Sequence, residues 1–245
     1  MAINMLQAQF QDAFCVHQYE CDMQNRLSPG AALRRVQQIS TGHCTAHGLT
    51  EQVYLDTHTV FLLAKTELVF HQPILVNTPI TLITEAYAPV RASFLRKVSF
   101  CDAHGKTLAQ AHSVWVLVDT NTRRIMRRPP DDIARFFAQN EAKAADISIE
   151  KTADILPVAD ITARYTMCDQ NGHINNTVYA DILCDTTDAA LFAHTYLQKA
   201  VIAYHSEVPL GKRFTVNRGA LSDTAFYYSG LSDAANHFEA NLYFA

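Results

Sequence analysis

Charge is scarce in this 245-residue chain, where Asp, Glu, Lys and Arg together make up 18%, and Gly and Pro number only 8 each. Sparse turn punctuation beside 49% hydrophobic residues and 10% aromatics excludes disorder over most of the length. It favours a β-rich globular fold with a buried core. Cations are not in surplus: 20 Lys and Arg face 24 Asp and Glu, for a formal net charge of −4. Neutralising phosphates takes an excess of cations, so a general nucleic-acid binder is excluded. Apolar runs such as Val60 to Ala64 and Val114 to Val118 fall far short of the roughly 20 residues that a membrane-spanning helix needs. The opening residues MAINMLQAQF lack the basic and apolar regions of a secretory signal, so cytoplasmic residence is the expectation.

Metal and phosphate signatures are missing as well. The six cysteines (Cys15, Cys21, Cys44, Cys101, Cys168 and Cys184) form no CxxC and no His/Cys group at zinc spacing, so no metal or other cofactor is expected. There is no GxSxG elbow and no glycine-rich phosphate loop. Cys168 and Cys184 have no obvious orienting partner for nucleophilic work.

What is present reads as one pattern used twice. Ala13 to Asp22 has strand character, and Ser28-Pro29 is a helix start, the hydroxyl capping free N–H groups while proline takes the first turn. Ala32, Leu33, Val36 and Ile39 then share one helical face, predicting a helix to Gly42 or beyond. Four strand-like runs follow: Thr59 to His71, Pro79 to Tyr87, Ala92 to Cys101 and Thr107 to Asp119. After a short helix predicted in Thr122 to Gln139 comes a polar connector, which sets expected bounds of 1–140, a linker at 141–157, and 158–245. The second half repeats the order: a strand at Ala159 to Met167, a helix capped by Asn175 or Asn176 with Val178, Tyr179, Ile182 and Leu183 on its apolar face, then strands at Lys199 to Val208, Arg213 to Leu221, Thr224 to Leu231 and Asn236 to Phe244. Asp22 and Asp169 precede the two helices 147 positions apart, while Phe70-His71 and Tyr204-His205 are 134 apart. A tandem duplication with a shorter helix-to-strand connection in the second copy accounts for both offsets. A long helix followed by a twisted antiparallel sheet buries itself by letting the sheet wrap around it, which is the hotdog arrangement. The expected class is therefore α+β, a tandem double hotdog with a cleft at the seam.

Chemistry concentrates in Cys168 to Asn176. Asp169, Asn171 and His173 alternate there, so an extended stretch would point all three to one side, just ahead of a helix N-terminus whose free N–H groups suit an oxyanion. The competing reading is a capped polar loop containing an Asx turn. Glu207, in AVIAYHSEVP, is a general-base candidate if strand alternation turns it inward and burial raises its pKa; otherwise it is an outward or salt-bridged residue. His205 shares its parity and is a candidate helper, while His71, His112 and His194 lack a suitable neighbour and read as structural. Arg123, Arg124, Arg127 and Arg128 form either a docking patch for an anionic partner or a solvated strand end.

These residues resemble a known family. DQNGHINNTVY (Asp169 to Tyr179) is similar to the D-x-N-x-H-x-N-N-x-x-Y signature of the acyl-ACP thioesterases of plant plastids and bacteria. AYHSEV (Ala203 to Val208) resembles the strand bearing that family's catalytic Glu, and SVWVLVDTNTRRIMRRP (Ser113 to Pro129) its S-V-W-V stretch and T-R-R turn. The resemblance covers nearly the whole chain and implies a double hotdog whose first half takes the acyl chain. It implies hydrolysis of a fatty acyl-phosphopantetheine on acyl carrier protein. Glu207 would activate water, His173 would orient the water or protonate the departing sulfur, Asn171 and a helix N–H would polarise the carbonyl, and Asp169 would hold the loop. Plant members carry a Cys after the Glu; Val208 stands there instead, which favours the water route, with direct attack by Glu207 through an anhydride as the other route. The four arginines would meet the carrier. An acyl-CoA thioesterase and a non-catalytic acyl-thioester binder are the other readings, and the oligomeric state, a homodimer among the options, stays open.

Overall fold

Ser28 and Pro29 begin the first long helix as their chemistry dictates: the serine Oγ accepts from Ala31 N at 3.3 Å, and α1 spans Pro29–Ala46. Its stripe of Ala32, Leu33, Val36 and Ile39 is buried in one core with residues of both halves of the chain. Burying each large aliphatic side chain of this stripe contributes about 1.5–3 kcal/mol. The computed structural model of the chain describes residues 9–137, 140–141, 143–144, 146–233 and 235–245. Most of the opening segment therefore lies outside the described residues.

The described strands are, in chain order, β1 (Gln9–Cys15), β2 (Thr59–Phe70), β3 (Pro79–Ala86), β4 (Ser93–Cys101), β5 (Thr107–Asp119), β6 (Arg124–Ile125), β7 (Leu156–Thr162), β8 (Leu197–Tyr204), β9 (Arg213–Ser222), β10 (Ala225–Leu231) and β11 (Asn236–Phe244). The remaining helices are α2 (Glu51–Asp56), α3 (Asp131–Phe137), α4 (Val178–Asp185) and α5 (Ala189–His194). All strands join one antiparallel sheet in the order β1-β3-β4-β5-β2-β8-β11-β10-β9-β7, with β6 added against the end of β5. The order β1-β3-β4-β5-β2 is matched by β7-β9-β10-β11-β8 read from the other edge, so the sheet has an internal two-fold pattern. The halves join where β2 and β8 pair, from Lys65 with Ala203 to Val69 with Lys199. Joining them there removes one exposed strand edge from each half.

Several boundaries differ from the sequence reading. The first strand ends at Cys15, and a single 3-10 turn, Gln18–Glu20, replaces its expected continuation to Asp22. Glu20 closes that turn by accepting from His17 N at 2.9 Å and from Arg35 Nε at 2.7 Å on α1. The second half does the same, with β7 running Leu156–Thr162 before a 3-10 turn at Tyr165–Met167. The strand thus opens just inside the expected linker. The shortened part of the second half is the helix, 18 residues in α1 against 8 in α4, rather than the connection after it. The helices cross closely at Gly30, where a Cβ would stand 1.8 Å from Asp181 Oδ1, and Arg34 pairs with Asp181 beside it.

Candidate active site

The β2–β8 pairing stops at Lys65 and Ala203, and beyond it the two strands part. From Thr59 to Leu63, β2 pairs only with β5, and a β-bulge at Ala64 marks the divergence. Bulges commonly re-aim strands beside functional sites. A cavity of about 600 Å³ opens in the gap, reaching inward to α1 and to the start of α4. Its apolar wall comes from the first half, with Leu33 and Val36 of α1, Val60 and Leu62 of β2, and Trp115 of β5. Its polar wall comes from the second half and holds Asp169, Asn171, His173 and Glu207 together. The volume falls in the usual range for small-molecule sites.

The Asp169 to Asn175 segment is a tight turn, not the extended stretch that alternation suggested. Gly172 adopts φ +78°, Asp169 N donates to His173 O at 3.1 Å, and Cys168 bridges Ile174. Asp169 organises the turn, its carboxylate accepting from Asn171 N at 2.9 Å and from Asn175 Nδ2 at 3.3 Å. The helix N-cap is Thr177 rather than the expected Asn175 or Asn176; Asn175 closes the turn ahead of it, its Oδ1 accepting from Thr177 N at 2.9 Å and from Thr177 Oγ1 at 2.7 Å. Among the described residues neither the Asn171 side-chain amide nor the Asn176 N–H carries a hydrogen bond, and both residues line the cavity. Tyr204 reaches across to donate to Asn176 O at 3.0 Å.

Glu207 requires a correction. β8 ends at Tyr204, so Glu207 sits in the following loop, and its side chain is 60% exposed rather than desolvated between apolar strand neighbours. The loop is nonetheless fixed. His205 N donates to His237 O at 2.9 Å, and Ser206 Oγ hydrogen bonds with His237 Nδ1 at 2.9 Å. This brings Glu207 Oε1 to 3.4 Å from His173 Nε2, and the imidazole is 19% exposed. Val208, at the position where the plant sequences carry Cys, is fully buried in the core and does not line the cavity. Burial, then the Glu207 charge, pushes the Tyr179 hydroxyl well above its usual range, and burial does the same to Tyr204; both stay neutral donors.

Two features go further than the sequence reading, in which His205 is a candidate helper of Glu207. His205 lines the cavity with its Nε2 3.0 Å from Glu239 Oε2, a partner from β11 that no local motif announces. The first half also carries a counterpart of the active turn. Asp22 N donates to Arg26 O at 2.7 Å, Asp22 Oδ1 accepts from Gln24 N at 2.9 Å, and Asn25 takes φ +58° where the second copy has Gly172. Leu27 N donates to Ile74 O as Ile174 N donates to Val208 O, so Arg26 stands for His173 and Pro73 for Glu207. This counterpart is filled. Arg26 donates to Thr195 O at 2.7 Å and Phe192 O at 2.9 Å, and only about 20 Å³ remains beside it.

The four arginines are all exposed, on the turn after β5, on β6 and just beyond it. Through Val118, which pairs with both Ile125 and Val60, they adjoin the strand that rims the cavity. None pairs with a carboxylate among the described residues.

Residues 7–136 match the family description "Acyl-ACP thioesterase N-terminal domain", and residues 150–235 match "Acyl-ACP thioesterase C-terminal domain". The chain belongs to the acyl-ACP thioesterase family. Relatives in it include the chloroplastic palmitoyl-acyl carrier protein thioesterase of Arabidopsis thaliana, 24% identical over 225 residues, covering 81% of this chain and 52% of that protein. Another is the chloroplastic dodecanoyl-[acyl-carrier-protein] hydrolase of Cinnamomum camphora, 23% identical over 221 residues, covering 81% and 56%. The chain thus spans about half the length of these curated relatives. The fold is shared with an acyl-ACP thioesterase from Bacteroides thetaiotaomicron (TM-score 0.87, 18% identity, 97% and 98% coverage) and the 12:0-ACP thioesterase from Umbellularia californica (TM-score 0.83, 18% identity, 98% of both chains). Both support the double hotdog architecture of the acyl-ACP thioesterases.

Proposed function

We propose that the chain hydrolyses fatty acyl groups from acyl carrier protein, releasing the free acid and the carrier thiol. The observation that carries this reading is the meeting, in one cavity, of an apolar wall from the first half with the His173–Glu207 pair and two unbonded donors from the second. A thioester has a good leaving group, so hydrolysis chiefly needs an activated water and a stabilised oxyanion. Glu207 takes the water's proton, and His173, 3.4 Å away, orients the water. The Asn171 amide and the Asn176 N–H receive the developing oxyanion, while Asp169 holds the turn that presents them. The first hotdog, through residue 140, lodges the acyl chain; the second, from residue 158, supplies the chemistry. Arg123, Arg124, Arg127 and Arg128 dock the acidic carrier at the cavity rim.

Incubation with a mixed acyl-ACP pool followed by fatty-acid analysis tests this reading, with acyl-CoA of matched chains alongside. Release of free acid from acyl-ACP with the higher kcat/KM is expected. A higher kcat/KM on acyl-CoA would move the substrate to the nucleotide thioester, and tight binding without release would make the chain an acyl-thioester binder.

A further inference from the structure

We propose that His205, oriented by Glu239, protonates the sulfur of the departing thiol; this deepens the thioesterase reading and rests on it. The need for such a donor is electrostatic. A thiolate released into this cavity would meet the Asp169 carboxylate, and no Lys or Arg lines the cavity among the described residues. His173 is committed to Glu207, and that carboxylate is occupied with the water's proton. His205 is the other imidazole of the lining.

The His205 side chain is 39% exposed but is held by a buried partner. Nε2 is 3.0 Å from Glu239 Oε2, and Glu239 is only 8% exposed. The same carboxylate accepts from Tyr227 OH at 2.6 Å and pairs with Lys151 Nζ at 2.5 Å. Burial alone would raise the Glu239 pKa, but hydrogen bonds from Lys151, Tyr227 and His205 outweigh it and hold the group below the usual carboxylate range. The carboxylate behind Nε2 fixes the orientation of the ring, as in other carboxylate–imidazole pairs. Nδ1 carries no hydrogen bond among the described residues and is the nitrogen left for the substrate. The backbone is pinned by His205 N donating to His237 O. Lys65, whose backbone pairs with Ala203 alongside, directs its Nζ to Ile147 O and does not compete for the site.

The step balances without a further reactant. Water oxygen bonds to the carbonyl carbon while Glu207 takes one proton. The C–S bond then breaks, its electron pair going to sulfur, which takes the Nδ1 proton of His205. The proton on Glu207 returns to His205 through solvent, leaving acid, thiol and the starting enzyme.

Leaving-group dependence tests the assignment, because an acid that protonates sulfur matters when the thiol is weakly acidic and little when it is strongly acidic. One acyl group is presented as its N-acetylcysteamine thioester and as its 4-nitrothiophenol thioester to the wild type, His205→Ala, His205→Gln and Glu239→Gln. The His205 variants are expected to lose kcat on the alkyl thioester by on the order of 10- to 100-fold more than on the aryl thioester. Glu239→Gln should shift the same ratio in the same direction by less. Equal losses on both substrates, or none, overturn the assignment while leaving the hydrolase reading intact. A wild type that cleaves neither thioester overturns both. Should His205→Ala fail to fold, the ratio in His205→Gln and Glu239→Gln decides alone.

Discussion

At the scale of single residues, the proposed function divides the Asp169 to Asn175 turn into groups that would react and groups that shape it. Asn171, His173 and Glu207 line the cavity, whereas in the filled turn of the first half Gln24 keeps the amide but is bound by Arg26, and Arg26 and Pro73 stand in place of the imidazole and the carboxylate. Alanine at any of the three is expected to lower kcat by on the order of 100-fold or more with the melting temperature nearly unchanged, as measured by steady-state hydrolysis and thermal unfolding. Gly172 is different, because its need is conformational. A β-branched residue at φ +78° costs about 1–2 kcal/mol, whereas Asn occupies the matching position of the first turn at φ +58°. Gly172→Asn should therefore lower kcat and melting temperature less than Gly172→Val does, and the reverse order would refute the structural equivalence. The residues of this turn were legible because short polar spacing survives in one dimension. Glu239 was not, since it reaches His205 only through the pairing of β11 with β8.

Among the elements, the helices and most strands followed from local chemistry, such as the Ser28-Pro29 start and the alternation along β5. Glu207 was assigned to a strand because AVIAYHSEV continues the apolar run, but the β2–β8 pairing ends before it. Strand ends are set by which partner is available, and that is a tertiary fact. The 3-10 turn after β1 depends similarly on Glu20 meeting Arg35 on α1. Burial opposes ionisation of Glu20, but the Arg35 and His17 hydrogen bonds prevail and hold its pKa below the usual carboxylate range. Its stabilisation is full above that range and is lost as pH falls through the lowered pKa. Glu20→Gln should thus cost on the order of 1–3 kcal/mol at neutral pH, with the two melting curves converging in acid. The α1 wall gives a second element-scale expectation. Val36→Phe fills part of the proposed acyl chamber and should shift the released acids toward shorter chains, read by fatty-acid analysis, with the active turn untouched.

For the whole molecule, the duplication was visible as two offsets in the sequence, and the sheet extends it to a strand-for-strand repeat. What could not be read in one dimension is that the copies close into one another, with α5 of the second half plugging the turn of the first. The exposed arginines give this scale its own test. Reversing Arg124 and Arg128 to Glu should raise KM for acyl-ACP several-fold and flatten its salt dependence, with turnover of a small acyl thioester unchanged. The plugged turn also fixes an arithmetic of encounter. Among the described residues the two structural repeats leave one of the paired turns open, so on the proposed function each polypeptide would engage one carrier at a time, and calorimetric titration with a non-hydrolysable acyl carrier should saturate at a molar ratio of one.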